Sequence, residues 1–342
     1  VDVDDNFLRF KVLTAIEKLR REHPSLTFRK DVIENRVLKE GSKFFNRLGL
    51  HFNLFVSAKL SHHSVLAVAL DEKVARTVDR IYRLLGLLYP WKDVAAARWS
   101  IEHGDQRARA NALEYLDNVL STQLRHRVLP VLEEMPLEEK VRRGNVFLKT
   151  RPRDVENTLL ELINDDDPVI AAAAIELVGQ KEMWSLTDDI EHVLAHRAAK
   201  DRYVFESASW TLAGRTLSVQ RRRERWVEPL PASTLVGQMR ALPLFALVGV
   251  DEIFRIVGAG HQVRHEPGAT LVPEGAIPEH LHLLLDGRIV ATGRRTGARE
   301  IEPPAALGFE EVLDGRLMAE TVKTAGRVVT ITLSAEQLRT LL

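Results

Sequence analysis

Over the first quarter of the chain, apolar residues recur at intervals of three and four. Phe7, Phe10, Leu13, Ile16 and Leu19 fall on one face of a helix. His23-Pro24-Ser25 ends it, because a residue that precedes proline is driven out of the α region. The same spacing predicts a second long helix from Arg29 to Lys59 and a third from Leu66 to Leu88, stopped by Tyr89-Pro90. Phe44, Phe45, Phe52 and Phe55 lie along the second helix. A partner groove is one use of such a row; a core shared with neighbouring helices is the simpler one, and we adopt it.

From Lys92 to Arg215 a repeat emerges when helices are aligned on an acidic start. Asp105 is followed by Ala112, Leu113 and Leu116; Asp167 by Ala174, Ile175 and Val178; Asp201 by Ala208 and Leu212. The offsets are seven and eleven each time. An aspartate at an N-cap accepts from backbone N–H groups that have no partner within the helix, and a small alanine lets a neighbouring helix approach closely. Asp105 and Asp167 are 62 residues apart and Asp167 and Asp201 are 34 apart, so a degenerate unit around Glu138–Thr150 gives a period near 31–34. These helix pairs resemble HEAT repeats, which stack into a curved surface that commonly binds protein.

From Thr216 the pattern breaks into Arg221-Arg-Arg-Glu-Arg225, then Pro229 and Pro231. Apart from Trp226 no aromatics interleave with these arginines, so the run reads as a solvated connector rather than a nucleic-acid or lipid patch. After Met239, short strands take over at Gln262–Arg264, Thr270–Val272, His280–Leu284, Arg288–Thr292, Glu300–Ile301, Glu320–Thr324 and Val328–Leu333. Gly268, Gly275 and Gly287 mark turns between them, and strands this short at this spacing predict a small antiparallel roll. An amphipathic helix pair precedes it, at Leu242-Pro-Leu-Phe245 and Val250–Phe254. The expected organisation is a helical region at 1–91, HEAT-like α-helical repeats at 92–215, a linker at 216–238 and a β-roll domain at 239–342: an all-α solenoid followed by a small jelly-roll-like domain.

Composition narrows the function. Lys plus Arg and Asp plus Glu are 48 each, so no bulk field draws the chain to nucleic acid or acidic lipid. With no cysteine there is no disulfide, thiolate nucleophile or Cys-ligated zinc. The longest apolar stretches, Val169–Gly179 and Ala241–Val250, are half of what a bilayer-spanning helix needs. Residue 1 is a valine with no secretion signal behind it. The expectation is a piece of a longer protein.

One stretch carries more specific chemistry. Gly308-Phe-Glu-Glu-Val-Leu-Asp-Gly-Arg-Leu-Met-Ala-Glu-Thr-Val322 resembles the phosphate-binding cassette of the cyclic nucleotide-binding domain family, and Gly308 and Val322 keep the family's separation of fourteen. The resemblance extends over about a hundred residues. It includes the Leu242–Phe245 entry, then Gly268, Leu271, Glu274 and Gly275, then Gly287-Arg-Ile289, and finally Leu333-Ser-Ala-Glu-Gln-Leu338. It implies a glutamate on the ribose 2′-hydroxyl and an arginine on the cyclic phosphate. Here Phe309 falls at the glutamate position, Leu317 at the proline and Met318 at the arginine. No shift of register restores the pair: the family's two residues stand nine apart, whereas Glu310 is six and Glu311 five from Arg316. The candidate pocket is therefore Gly308, Phe309, Glu310, Arg316, Met318, Ala319 and Val322, filled by its own side chains. The chain also ends inside the first helix after the roll, without the family's long closing helix.

Other chemistry is sparse. Asp188, His192 and His196 share a helical face at a spacing that can hold zinc, but no further ligand is near in sequence, and a solvated face is the preferred reading. His261 and His265 flank a strand and do not lie side by side, and His62-His63 reads as surface. There is no Gly-rich phosphate loop, Gly-x-Ser-x-Gly elbow or His-Glu-x-x-His. No catalytic residue, metal or cofactor is expected.

The whole order of elements also resembles the cytosolic C-terminal half of bacterial nucleotide-translocase-like, major-facilitator-type proteins. Phe10-Lys-Val-Leu13, Arg83-Leu-Leu-Gly-Leu-Leu-Tyr-Pro90 and Arg109-Ala-Asn-Ala-Leu-Glu-Tyr-Leu-Asp-Asn118 carry that resemblance. It implies a cytoplasmic regulatory or scaffolding module tethered beneath a membrane transporter, with a protein partner and no direct insertion. Two alternatives stay open: a sensor that binds a cyclic nucleotide or other anion through an altered pocket, and a free-standing adaptor.

Overall fold

The structure of the protein, a computed structural model, describes residues 6–151, 153–196, 201–216, 229–294 and 297–341. The chain divides into two compact units, residues 1–62 with 70–158 and residues 63–69 with 159–342. The basic run Arg221–Arg225 and Trp226 lie outside the described residues.

The first unit is helical. α1 (Asn6–Glu22) ends just before Pro24, and α2 (Lys30–His51) runs on into a π-helical turn at Phe52–Ser57. α3 (Val65–Leu88) starts in the second unit's segment and crosses into this one. α4 (Trp91–His103), α5 (Gln106–Val119), α6 (Thr122–Leu132) and α7 (Leu137–Leu148) follow. Phe44, Phe45 and Phe55 are buried, so the aromatic row on the second helix is core rather than groove. One apolar cluster joins Leu13, Val37, Phe45, Leu85, Leu116 and Val128, and so runs across position 91, where a boundary was expected. Inside this unit sits a buried ion pair: Arg80 Nε on α3 donates to Glu40 Oε2 on α2 at 2.8 Å.

The acidic helix starts have mixed outcomes. Asp105 accepts from Ala108 N at 2.7 Å, capping α5, and Asp167 accepts from Val169 N at 3.2 Å, capping α9 (Pro168–Gln180). Asp201 stands at the N-cap of α11 (Arg202–Gly214) without capping it through its side chain. Ala112, Ala174 and Ala208 are all buried, as close helix contacts require. These helices are divided between the two units. α5 belongs to the first unit and α9 and α11 to the second. α2 packs on α6 and α7. The aspartates thus cap two of the three helices, and the alanines are buried in all three.

The second unit contains α8 (Val155–Ile163, most of which lies beyond residue 158), α9, α10 (Thr187–His196) and α11, then α12 (Ala232–Met239) and α13 (Val250–Ala259). α12 occupies part of the stretch expected to be a linker. It is no connector: Ala232, Leu235, Val236 and Met239 are buried, and the Thr234 hydroxyl donates to Glu176 of α9 at 2.9 Å. Tyr203 of α11 donates to the Phe254 carbonyl of α13 at 3.0 Å, and the side-chain amide of Gln262 makes two bonds with the Leu230 backbone.

Eight strands follow: β1 (His261–His265), β2 (Thr270–Val272), β3 (His280–Asp286), β4 (Ile289–Gly293), β5 (Gly297–Ile301), β6 (Ala305–Leu307), β7 (Thr321–Thr324) and β8 (Val328–Ser334). They form two four-stranded antiparallel sheets ordered β1-β8-β3-β6 and β2-β7-β4-β5. This is the expected roll, with one addition. β6, only Ala-Ala-Leu, has no apolar alternation to reveal it and exists because its backbone pairs with His282–Leu284 of β3. A short helix, α14 (Phe309–Asp314), lies between β6 and β7, and α15 (Ala335–Leu341) follows β8. Among the described residues no helix is long and apolar enough to cross a membrane.

Candidate functional site

The cassette begins where β6 ends. Gly308 has φ +79, a left-handed conformation that glycine adopts without strain, and it turns the chain into α14. Gly315, also left-handed, closes that helix as its C-cap. The chain then runs back along the loop after β2, with the Met318 amide donating to Ala276 O and the Gly275 amide donating to Met318 O, both at 2.8 Å. The stretch from Gly308 to Val322 is thus a left-handed turn, a short helix and a return strand.

The structure distributes the candidate residues unequally. Met318 (9% exposed) and Val322 (1%) enter the roll's apolar cluster with Val272, Leu284, Ile289, Ala291, Leu307 and Val328. Phe309 is half-buried at the start of α14, while Glu310 and Ala319 are exposed. Arg316 turns outward and is bound by Glu310 at 3.0 Å and Asp314 at 2.9 Å, with its side chain largely in solvent. Met318 and Val322 meet inside the roll, then, and Glu310 and Arg316 meet on its surface. Neither charged residue joins the buried pair. The side chains of Met318 and Val322 offer neither donor nor cation to a phosphate. α14, at six residues, is also too short to concentrate much of a helix dipole there.

Two arrangements escaped the sequence reading. Arg299 donates twice to one oxygen of Glu320, from Nη2 at 2.7 Å and from Nε at 3.2 Å, joining β5 to the end of the cassette. On the first sheet, His265 Nε2 lies 3.0 Å from Thr330 Oγ1, and the His265 and His282 rings are 6.1 Å apart. Burial pushes His282 down to about 4, helped by the charges of His265 and His280; burial also lowers His265. These histidines come together because β8 pairs with both β1 and β3, and no local spacing announces that.

Among the described residues no group of three His, Cys, Asp or Glu side chains is placed to hold a metal. His192 and His196 do share a helical face, but as stacked rings 4.1 Å apart, with His196 Nδ1 bonded to the His192 carbonyl at 2.9 Å.

No family model matches the chain, and no curated protein matches it. Among solved structures it is similar to the regulatory domain of Toxoplasma gondii PKA crystallised with cAMP, at 15% identity and TM-score 0.30, over 32% of this chain and 44% of that one. It is similar to the regulatory subunit of a cAMP-independent protein kinase A from Trypanosoma brucei at 21% identity and TM-score 0.30, over 32% and 43% of the two chains. A cyclic nucleotide-binding-like protein from Brucella abortus is similar at 15% identity and TM-score 0.27, over 31% of this chain and 95% of that one. The chain spans less than half the length of the Toxoplasma and Trypanosoma proteins.

Proposed function

We propose that this chain is a non-enzymatic regulatory or scaffolding module: its helices offer a surface to a protein partner, and its C-terminal roll serves as structure without taking a cyclic nucleotide. One observation carries this reading. The position that the resemblance gives to a phosphate-binding arginine is Met318, buried in the roll's own core and pinned at both its backbone amide and its carbonyl. A charge-assisted contact is worth about 1.5–3 kcal/mol, so loss of the arginine and the glutamate weakens a nucleotide by about a hundredfold to ten-thousandfold.

The sensor alternative needs a cation for the ligand. Arg316 is the nearest in sequence, and its two carboxylate partners speak for the structural reading. Titration calorimetry with cyclic AMP and cyclic GMP tests this. The reading predicts silence up to millimolar concentration, and micromolar heat would overturn it.

Attachment to a transporter-like membrane part belongs to the same reading and rests on the sequence resemblance in Phe10–Leu13, Arg83–Pro90 and Arg109–Asn118. Its test is the gene upstream of Val1, which should encode a series of apolar stretches of about twenty residues.

A further inference from the structure

Helices α1, α3 and α4 of the first unit line an open cavity of about 620 Å3, within the range of small-ligand sites. Its inner charges are fixed in a network. Asp79 holds Arg83 and Arg98, each at 2.6 Å; Glu17 holds Arg83 at 2.5 Å and also Arg21; Glu102 holds Arg98 at 2.8 Å. All three of these guanidinium groups also lie over aromatic rings, Arg83 over Phe10 at 5.1 Å, Arg98 over Tyr82 at 5.2 Å and Arg21 over Trp91 at 5.0 Å. The wall is therefore preorganised.

Trp99 is the exception in this wall. It lines the cavity, yet it is 66% exposed, with its ring stacked on His103 at a centroid distance of 4.1 Å and 21° between planes. An indole held flat and open to solvent is a platform for another planar ring. Two cations at the cavity reach solvent: Lys18, which meets Glu22 only at 3.9 Å, and Arg21, half exposed, with the single carboxylate partner Glu17 among the described residues, against two each for Arg83 and Arg98. They are three apart on α1 and so lie on one face.

We propose that this cavity binds a planar heteroaromatic ring carrying a phosphate, of mononucleotide size, with the ring stacked on Trp99 and the phosphate met by Lys18 and Arg21. The site is separate from the roll and does not depend on whether the roll takes a ligand.

The test is calorimetry of the whole chain at low salt with adenosine 5′-monophosphate, adenosine and inorganic phosphate as probes. The monophosphate is expected to bind, and to bind several-fold more tightly than either fragment. Trp99→Ala should weaken it about tenfold or more, the scale of one aromatic stack. Lys18→Gln with Arg21→Gln should bring the monophosphate down to the level of adenosine. These side chains are at least half exposed, so an unchanged melting temperature should accompany both results. No binding of the monophosphate, binding indifferent to Trp99→Ala, or equal binding of monophosphate and adenosine to the parent chain would overturn the proposal.

Discussion

Met318 and Ala276 are joined backbone to backbone: the Met318 amide donates to the Ala276 carbonyl at 2.8 Å, and next to it the Met318 carbonyl accepts from Gly275. With the main chain held there, the Met318 side chain occupies the roll's apolar cluster. Met318→Ala should cost about 2–5 kcal/mol of unfolding free energy, the range for truncating a buried methionine, measured as a shift in the urea midpoint.

The same geometry yields a gain-of-function test. Met318→Arg alone places an unpaired charge in the cluster and should destabilise the roll more than Met318→Ala does. Combined with Phe309→Glu, it restores the cassette residues that the resemblance implies, and cyclic AMP should then raise the melting temperature of the double variant while leaving the parent unchanged. A double variant indifferent to cyclic AMP would argue against the register from Gly308 to Val322.

Glu40 is 1% exposed and faces Arg80 across α2 and α3. Burial works to raise its pKa, but the charge and hydrogen bond of Arg80, with Lys43 and Arg36 adding, outweigh burial and hold it below the ordinary value of 4.5. A carboxylate depressed in the fold binds fewer protons there than in the unfolded chain. Its stabilisation is therefore complete above the unfolded value and is lost as pH falls through the folded one. Glu40→Gln leaves Arg80 without its anion and should cost about 3–5 kcal/mol at neutral pH. It should also flatten the loss of stability below about pH 4.5, followed by chemical denaturation across pH.

His282 should impose a second pH dependence, at higher pH. Its ordinary value of 6.5 falls to about 4 in the fold, chiefly through burial. Between those values the unfolded chain takes up a proton that the folded chain refuses, so stability is full above about pH 6.5 and declines as pH falls toward 4. By the linkage relation the decline is on the order of 3 kcal/mol. His282→Leu should remove most of this slope, and melting curves from pH 7 to pH 4 would measure it. An unchanged slope would place the responsible proton elsewhere.

Gly287 links β3 to β4 with φ +85, and an added Cβ would stand 2.2 Å from the Arg327 carbonyl oxygen. Gly287→Ala combines left-handed strain of about 1–2 kcal/mol with a backbone clash. It should destabilise the roll more than Gly268→Ala, where φ is similar and nothing lies within 4 Å. Parallel urea titrations of the two variants make the comparison.

Much of this protein was legible in its residue order because the physics involved is local. Proline and apolar periodicity bounded the first three helices, Asp105 and Asp167 marked their own helix starts, and turn glycines with short apolar runs marked the strands. Gly308 and Val322 framed the cassette, and Met318 at the arginine position argued for an apolar interior. Three features depended on partners distant in the chain. The row of helices with aspartate starts is shared between two units, because an acidic start says nothing about which helix a face will meet. β6 took its form from β3, and α12 was legible only through its burial against α9 and α11.

The sequence by itself determined the helix and strand periods, the placing of Phe309 and Met318 between Gly308 and Val322, and the neutral, cysteine-free chemistry, since each is a property of a residue or its near neighbours. Only the tertiary structure decided that Met318 would point into the roll while Arg316 turned to Glu310 and Asp314. It likewise brought His265 to His282 and set Trp99 beside Lys18 and Arg21 on one cavity. Apart from the local contacts of Arg316, each of these is a meeting of side chains from separate elements, and only packing fixes such meetings.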